Sequence, residues 1–347
     1  MRAIRENFPG CNLYLTYGPG VVQHEMRACS DVAKTGYGLM TGFFDGLLHE
    51  SSGCIVTDGY EGAYRFRTND EFIRAADMIR NQSAVNSNDP TLFRKRTKVG
   101  FGIWPVGGDG KTLDTADFTE NRHTPEELEY ALSYALRNSD GVVWVYGGGI
   151  EWVKAPKEYL AAIRNARKPH SLVSPGRAGS ESDQTVFAAQ YRDYAELYDF
   201  PTLWKFRTDP DDRGVKEKWF ARGVADADWR PVSIRGFWNA QIKQEYLGYA
   251  WYRTEFNLDR AWLNEPLILA FGAVDELGWV YLNGKLVYDH SEGKPAELWD
   301  RPFAFDIGKQ ARAGRNLLVV RVHNGTGPGG IWRGVKLFGP KPDEPKR

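Results

Sequence analysis

Over the first half of the chain, short apolar runs alternate with segments whose apolar residues recur every three to four positions. Asn12–Tyr17, NLYLTY, reads as a strand after the turn at Pro9-Gly10. Leu39, Met40, Phe43, Phe44, Leu47 and Leu48 then recur at helical spacing. Cys54–Asp58 is a second strand, and Thr68-Asn-Asp-Glu71 is a capping box that opens a helix through Ile79. Thr97–Trp104 is a third strand. Thr124-Pro-Glu-Glu127 is another capping box with Pro125 at the first helical position, followed by a stripe of Leu128, Ala131, Leu132, Ala135 and Leu136. Gly141–Tyr146 is a fourth strand and Pro156–Arg167 a fourth helix.

The strands begin near residues 12, 54, 97 and 141, at steps of 42, 43 and 44. So regular a β-then-α alternation predicts parallel strands joined by right-handed crossovers. No G-x-G-x-x-G stands at a strand–helix junction, which argues against nucleotide binding and leaves a β/α barrel as the expected architecture. A barrel needs eight units and only four are legible, so the expectation is a partial, half barrel.

Ser174–Ser182, SPGRAGSES, breaks the pattern as a linker would, and a helix is expected over Gln184–Tyr198. From Leu203 the chain changes to short strands: WFARG, WRPVSI, GYAWYRTEF, LILAF, WVYL, KLVY, PFAFDI, NLLVVRV and IWRGVKLF, separated by turn residues. That is a β-sandwich pattern. Its clearest stretch is Leu267–His290, where LILAF leads through the turn AVDEL into WVYL. Asn283-Gly284 then makes a tight hairpin with LVY, because both residues tolerate positive φ. The expected organisation is therefore multidomain, α/β plus all-β: a half barrel over 1–172, a linker over 173–202, a sandwich over 203–340 and a tail over 341–347.

Lys+Arg and Asp+Glu both number 45 in 347 residues. Zero net charge argues against a general nucleic-acid or anionic-membrane binder. No apolar run reaches membrane-spanning length, and MRAIRENFPG lacks the apolar core of a signal peptide. Cys11, Cys29 and Cys54 form no C-x-x-C and read as reduced and structural; the six histidines form no H-x-x-x-H or H-E-x-x-H. No metal site and no cofactor is expected. Neither Ser51 nor Ser180 lies in a G-x-S-x-G elbow, and Gly325–Gly330 has no lysine to cradle a phosphate. The compositional outlier is 12 Trp, 17 Tyr and 18 Phe. Cores absorb most such rings; the remainder can stack on the apolar faces of sugars.

Asp228-Trp229-Arg-Pro231, Gly248-Tyr-Ala-Trp251-Tyr-Arg253, Asp275 followed by Trp279-Val-Tyr-Leu-Asn283-Gly284-Lys285, Phe303-Ala-Phe-Asp306 and Gly314-Arg-Asn316-Leu-Leu-Val-Val-Arg321-Val carry a resemblance. With them the C-terminal half resembles the galactose-binding-like jelly roll of family-two glycoside hydrolases of the β-galactosidase type. VTDGYEGAYRF and SDGVVWVYGGGIEWV give the N-terminal half a weaker resemblance to the last four units of a glycoside-hydrolase barrel. The resemblance implies a carbohydrate partner and the C-terminal portion of a glycoside hydrolase. The class-different alternative is a non-catalytic carbohydrate-binding or structural module. It also implies a chain that starts inside the barrel, either as a truncated reading frame or as a half barrel that self-associates through its edges, and a secreted or periplasmic full-length parent.

Barrel sites form at the C-terminal ends of the strands. The candidates there are Tyr17, Asp58 with Glu61, Trp104 with Asp109, and Glu151 with Trp152. Glycosidases use two carboxyls, so Asp58 and Glu61, set among Tyr60, Tyr64 and Phe66, are the catalytic candidates. The bland alternative has Asp58 capping a loop and Glu61 pairing with Arg65 or Arg67. Tyr17, Trp104, Glu151 and Trp152 are the substrate-binding candidates, although a solvated loop acid is the simpler role for Glu151. In the resembled barrels the catalytic glutamates follow the fourth and seventh strands. The run GFGIWPVGG, in the seventh position, has Trp104 but no Glu. On the sandwich, Asp275, Trp299, Asn324 and Arg333 are the surface candidates, with Trp279 and Trp332 assigned to the core.

Overall fold

A computed structural model describes residues 2–26, 30–108, 110–168, 194–263 and 265–341. The chain divides into two compact units, Met1–Thr185 and Val186–Arg347.

The first unit holds β1 (Asn12–Leu15), β2 (Ile55–Asp58), β3 (Thr97–Ile103) and β4 (Val142–Val145), all parallel and in the order β1-β2-β3-β4. Its helices are α1 (Arg2–Asn7), α2 (Pro19–Glu25), α3 (Gly38–Glu50), α4 (Asn69–Asp77), α5 (Pro90–Arg96), α6 (Pro125–Asn138) and α7 (Lys157–Asn165). Sequential neighbours with no reversal of order are barrel-type winding. A doubly wound sheet would switch direction and carry helices on both faces. Right-handed crossovers, the usual hand for parallel strands, put the helices of such a sheet on one face. Both capping boxes form: Thr68 Oγ1 accepts from Glu71 N at 3.4 Å and Thr124 Oγ1 from Glu127 N at 3.2 Å, while each glutamate returns a bond to its threonine's N–H at 2.9 Å. Each box satisfies orphan amides at its helix start.

Alternation along β3 separates two environments. Val99, Phe101 and Ile103 are wholly buried against α4 and α6, with Phe72 edge-on to Phe101 at 5.1 Å. Lys98, Gly100 and Gly102 take the opposite face, where Tyr14, Tyr64 and Trp144 crowd in. A Cβ on Gly102 would stand 2.7 Å from Trp144 and 2.8 Å from Tyr64. The stripe expected on α3 is only half inward: Phe44, Leu47 and Leu48 are buried, but Leu39 and Phe43 face solvent.

The second unit is an antiparallel sandwich. One sheet contains β6 (Leu203–Asp209), β7 (Arg230–Ser233), β8 (Gly248–Leu258), β10 (Leu277–Leu282), β11 (Lys285–His290) and β13 (Gly314–Asn324), in the order β11-β10-β13-β8-β6-β7. The other contains β5 (Tyr194–Asp199), β9 (Ile268–Phe271), β12 (Phe303–Asp306) and β14 (Val335–Pro340), in the order β12-β9-β14-β5. Two short helices, α8 (Trp238–Ile242) and α9 (Pro295–Leu298), complete it. The core between the sheets is aromatic, with Trp204, Phe206, Trp238, Tyr252, Phe256 and Phe271 all buried. A smaller cluster of Trp219, Trp229, Trp251, Tyr281, Leu317 and Val319 packs apart from it.

Two expectations are corrected here, and one is borne out. The helix over Gln184–Tyr198 does not extend through Tyr194–Tyr198, which belongs to β5 and pairs with β14; its earlier residues, like the break at Ser174–Ser182, lie outside the described residues. The register skips Leu197 between Leu337↔Tyr198 and Phe338↔Glu196, and this bulge breaks the period-two signal. WFARG is a run of turns, because Arg253 Nη1 donates to the carbonyls of Trp219 and Ala221 and holds the segment away from any ladder. As expected, LILAF leads through a turn, which carries the chain from one sheet to the other, into the tight hairpin β10–β11. Its tip has Asn283 at φ 53° and Gly284 at φ 86°, the double positive φ of a type I′ turn.

Candidate functional site

Strand parity decides where the candidate residues of the parallel unit go. Leu13, Leu15 and Val56 pack in the helix-side core, and Asp58, two residues beyond Val56 and in register with Leu15, shares their face. Asp58 is therefore 0% exposed, against the first turn of α2. Its Oδ2 accepts from Gly20 N at 2.8 Å, a carboxylate meeting the unpaired amides of a helix start. The contact is close enough to require glycine at Gly18, where a Cβ would lie 2.3 Å from the Asp58 carboxyl carbon. Burial pushes the Asp58 carboxyl up to about 7, against the lowering pull of the backbone amides of Gly20, Tyr60 and Gly18. This matches the capping role, the bland alternative expected for Asp58.

Glu61 goes the other way. It opens a short 3-10 turn, Glu61–Arg65, just past the end of β2, and is half-buried. Its carboxylate lies close enough to the phenols of Tyr17, past the end of β1, and Tyr64 for its charge to act on both. The Glu61 charge raises the Tyr17 phenol; burial, then Glu61, raises that of Tyr64. These two tyrosines take the place of the expected arginine pairing, and Arg67 instead faces Glu127 at 3.8 Å.

Rings continue from there across the strand ends. Tyr17 stacks on Tyr37 at 5.8 Å, Tyr64 stacks on Tyr146 at 5.5 Å, and Tyr64 meets Trp104 and Trp144 edge-on at 5.8 and 5.6 Å. Trp104 Nε1 donates to the Gly148 carbonyl at 2.9 Å and Trp144 Nε1 to that of Gly59 at 3.0 Å, which fixes both indoles. Tyr17, Tyr37 and Tyr146 each keep about two-fifths of their surface exposed, at 44%, 38% and 39%. The Arg122 guanidinium lies 5.3 Å from the Trp104 ring centre, near enough to Arg65 and Arg67 that their charges, after burial, lower its affinity for its proton. The result is one carboxylate beside a wall of partly exposed rings, with positive charge at one end.

Glu151 and Trp152 do not join this arrangement closely. Glu151 is exposed and pairs with Lys154 at 2.8 Å, the solvated role, while Trp152 is 38% exposed beside Gly147. Asp109 lies outside the described residues. Tyr37, Trp144 and Tyr146 were not anticipated as site residues. For the last two the available signal was parity, since Trp144 and Tyr146 alternate with Val143 and Val145, which pack against the helix-side core.

The sandwich candidates divide as well. Asp275 and Asn324 are buried, contrary to their expected surface positions. Asn324 Nδ2 donates to the Gly327 carbonyl at 2.9 Å, and the Asp275 carboxyl is pushed up to about 8 by burial and by the neighbouring Glu276. Trp299 is exposed and stacks on Trp332 at 5.6 Å with planes 10° apart; Phe237 stacks on Trp332 at 5.1 Å. Arg333 lies over Trp332 at 4.2 Å and donates to the Asp300 carbonyl at 3.1 Å. Trp332 is thus half-buried in a surface stack rather than in the core, and Trp279 is likewise only half-buried, 4.7 Å from the Arg321 guanidinium.

Residues 197–332 match the family model described as "Glycosyl hydrolases family 2, sugar binding domain". The sandwich unit is family-2-like. The chain is 30% identical over 132 residues to a β-glucuronidase of Paenibacillus borealis, covering 37% of this chain and 21% of that protein. It is 26% identical over 130 residues to the β-glucuronidase of Canis lupus familiaris, covering 34% and 19%. A β-galactosidase of Thermoanaerobacter pseudethanolicus is 30% identical over 103 residues, covering 28% and 13%. Among solved structures, a β-glucuronidase from an uncultured Clostridium species superimposes with a TM-score of 0.37 at 26% identity, covering 41% of this chain and 28% of that one. The chain thus spans about a fifth of the length of the first two curated relatives. The family match lies wholly within the family-2-like unit.

Proposed function

We propose that this chain is a carbohydrate-active portion of a glycoside hydrolase, with its sugar site on the parallel unit and a family-2-like sandwich beside it in sequence. The observation that carries the reading is the Glu61 carboxylate, set beside the phenols of Tyr17 and Tyr64 inside a wall of partly exposed rings at the strand ends. Pyranose rings present apolar C–H faces to aromatic surfaces and hydroxyls to carboxylates, and this wall offers both. Arg122 over Trp104, with Arg65 and Arg67 near it, favours a sugar that carries a carboxylate. Two of the curated relatives are named β-glucuronidases, which supports the same preference.

Hydrolysis needs two carboxyls about 5–10 Å apart. Of the four acids expected at the strand ends, Asp109 lies outside the described residues, Asp58 is spent on a helix start and Glu151 on Lys154, which leaves Glu61 among the described ones. That favours a second reading for the chain taken by itself, a binding module whose parent supplies the partner carboxyl. β1 and β4 each hydrogen-bond to one neighbour in the described sheet, so self-association through these edges is part of the proposal. The test is calorimetric titration with neutral and uronic-acid oligosaccharides, alongside hydrolysis of aryl glycosides and sedimentation of the chain. Tighter binding of the acidic sugars, with little or no turnover, is expected. Turnover undiminished in Glu61→Gln would refute the site.

A further inference from the structure

Cys11 and Cys54 lie 43 residues apart in sequence, and their sulfurs are 3.1 Å apart. The register explains why. β1 and β2 pair in parallel with Asn12 opposite Ile55, so the residues just before each strand, Cys11 and Cys54, face each other across the same pair. The backbone is fixed there on both sides: Ile55 N donates to the Cys11 carbonyl at 2.9 Å, Cys54 N to the Ser51 carbonyl at 2.7 Å, and Cys11 N to the Phe8 carbonyl at 3.2 Å. Both side chains are only half-buried, so a small oxidant can reach them. Adjacent strands bring Cα atoms to within the range that a disulfide spans, and the thiols need to approach by about 1 Å more to reach bonding distance.

We propose that Cys11 and Cys54 are a built disulfide site that, when oxidised, staples the edge strand β1 to β2. This departs from the reading of the cysteines as reduced. The co-reactant is a low-molecular-weight disulfide of the glutathione class. One protein thiolate attacks a sulfur of that disulfide, forming a mixed disulfide and releasing one small thiol. The second protein thiolate then attacks the protein sulfur of the mixed disulfide, forming the Cys11–Cys54 bond and releasing the second small thiol. The two protein thiols lose two electrons and two protons, and the small disulfide gains both. Each attack needs a thiolate, so the reaction quickens as pH rises toward the thiol range.

The staple has a local consequence. β1 is a four-residue edge strand with one neighbour, and only its ladder to β2 holds it in the sheet. A covalent link at its N-terminal end closes a loop through α2 and α3 and restrains the unfolded chain, which raises stability. The link lies at the opposite strand ends from Glu61 and the aromatic wall. Sugar binding therefore does not depend on it, and the two proposals fail separately. Such a bond persists in oxidising compartments.

The experiment takes the full chain, treats it with oxidised glutathione at pH 8, and counts thiols with Ellman's reagent before and after. Three titratable thiols should fall to one, the intact mass should fall by about 2 Da, and a proteolytic map should join the peptides containing Cys11 and Cys54. The oxidised chain should melt several degrees above the reduced chain. Cys11→Ser and Cys54→Ser should each start with two thiols and lose one of them to a glutathione adduct instead of forming an internal bond. Three persistent thiols, a stable glutathione adduct on the wild-type chain, or a map joining Cys29 to either residue would overturn the proposal. The peptide map of the wild-type chain decides the matter even where a serine variant does not fold.

Discussion

The two units use aromatic residues in opposite ways. In the sandwich, apart from the Trp299–Trp332 surface stack and the half-buried Trp279, the largest rings are interior: Trp204, Trp238, Trp251 and Tyr252 are all at or below 1% exposure. The indole N–H groups of Trp251 and Trp204 meet fixed acceptors, Asp209 and the Pro201 carbonyl. In the parallel unit the helix-side core is mostly aliphatic and phenylalanine, while Tyr17, Tyr37, Tyr64, Trp104, Trp144 and Tyr146 gather at one set of strand ends. Composition alone pools these populations. What separates them is where each polar tip goes, since a tyrosine whose hydroxyl reaches a carboxylate at the rim remains available to a ligand.

The largest effect should come from the packed population. Trp251→Ala removes a wholly buried ring and strips Asp209 Oδ2 of its indole N–H partner at 2.9 Å, so unfolding free energy should drop by about 3–5 kcal/mol. Denaturant titration reads this. A loss below about 1 kcal/mol would erase the contrast between the units.

The next effect concerns Asp58. Its carboxyl is raised to about 7 in the folded chain, above the ordinary value near 3.9 when unfolded. The folded state then holds more protons between those values. This contribution to stability is intact below about pH 4 and is lost as pH rises through 7. Asp58→Asn has no such proton to lose. Its stability relative to wild type should therefore improve by roughly 3–4 kcal/mol between pH 4 and pH 8, measured by denaturation at each pH. His123, lowered to about 4 by burial, changes stability in the opposite sense between about pH 4 and 6.5 but cancels in this comparison because both chains carry it. A gap that stays constant with pH would return Asp58 to the ionised, solvent-facing carboxyls.

The smallest stability effect should belong to the rim. Glu61→Gln and Tyr64→Phe each change one partner of a partly exposed polar contact, so stability should shift by about 0.5–1 kcal/mol. Oligosaccharide affinity should nonetheless fall about tenfold by calorimetry. A large stability loss in either variant would make the rim part of the core after all.

Much of the architecture was legible in the chain because its causes are local. Both capping boxes and the Asn283-Gly284 turn depend on residues within four positions of each other. The even spacing of the strands pointed to the parallel order, and the turn-rich second half to the sandwich. The failures have non-local causes. Leu197 bulges only because β14 sets the register opposite it, and Arg253 holds WFARG out of a ladder from more than thirty residues away. The Cys11–Cys54 contact likewise depends on strand register. Asp58 is an intermediate case: its parity with Val56 was readable, but the weight of a carboxyl at a strand end obscured it. The aromatic wall required knowing that Gly100 and Gly102 clear space for rings from other strands.

The central claim is that sugar recognition belongs to the rim of the parallel unit rather than to the Trp299–Trp332 stack of the sandwich. Chemical-shift mapping of the full chain during titration with a uronic-acid oligosaccharide tests it directly. The account predicts saturable shifts at Tyr17, Glu61, Tyr64, Trp104 and Tyr146, with Trp299 and Trp332 unmoved. Shifts confined to Trp299, Trp332 and Arg333 would contradict it.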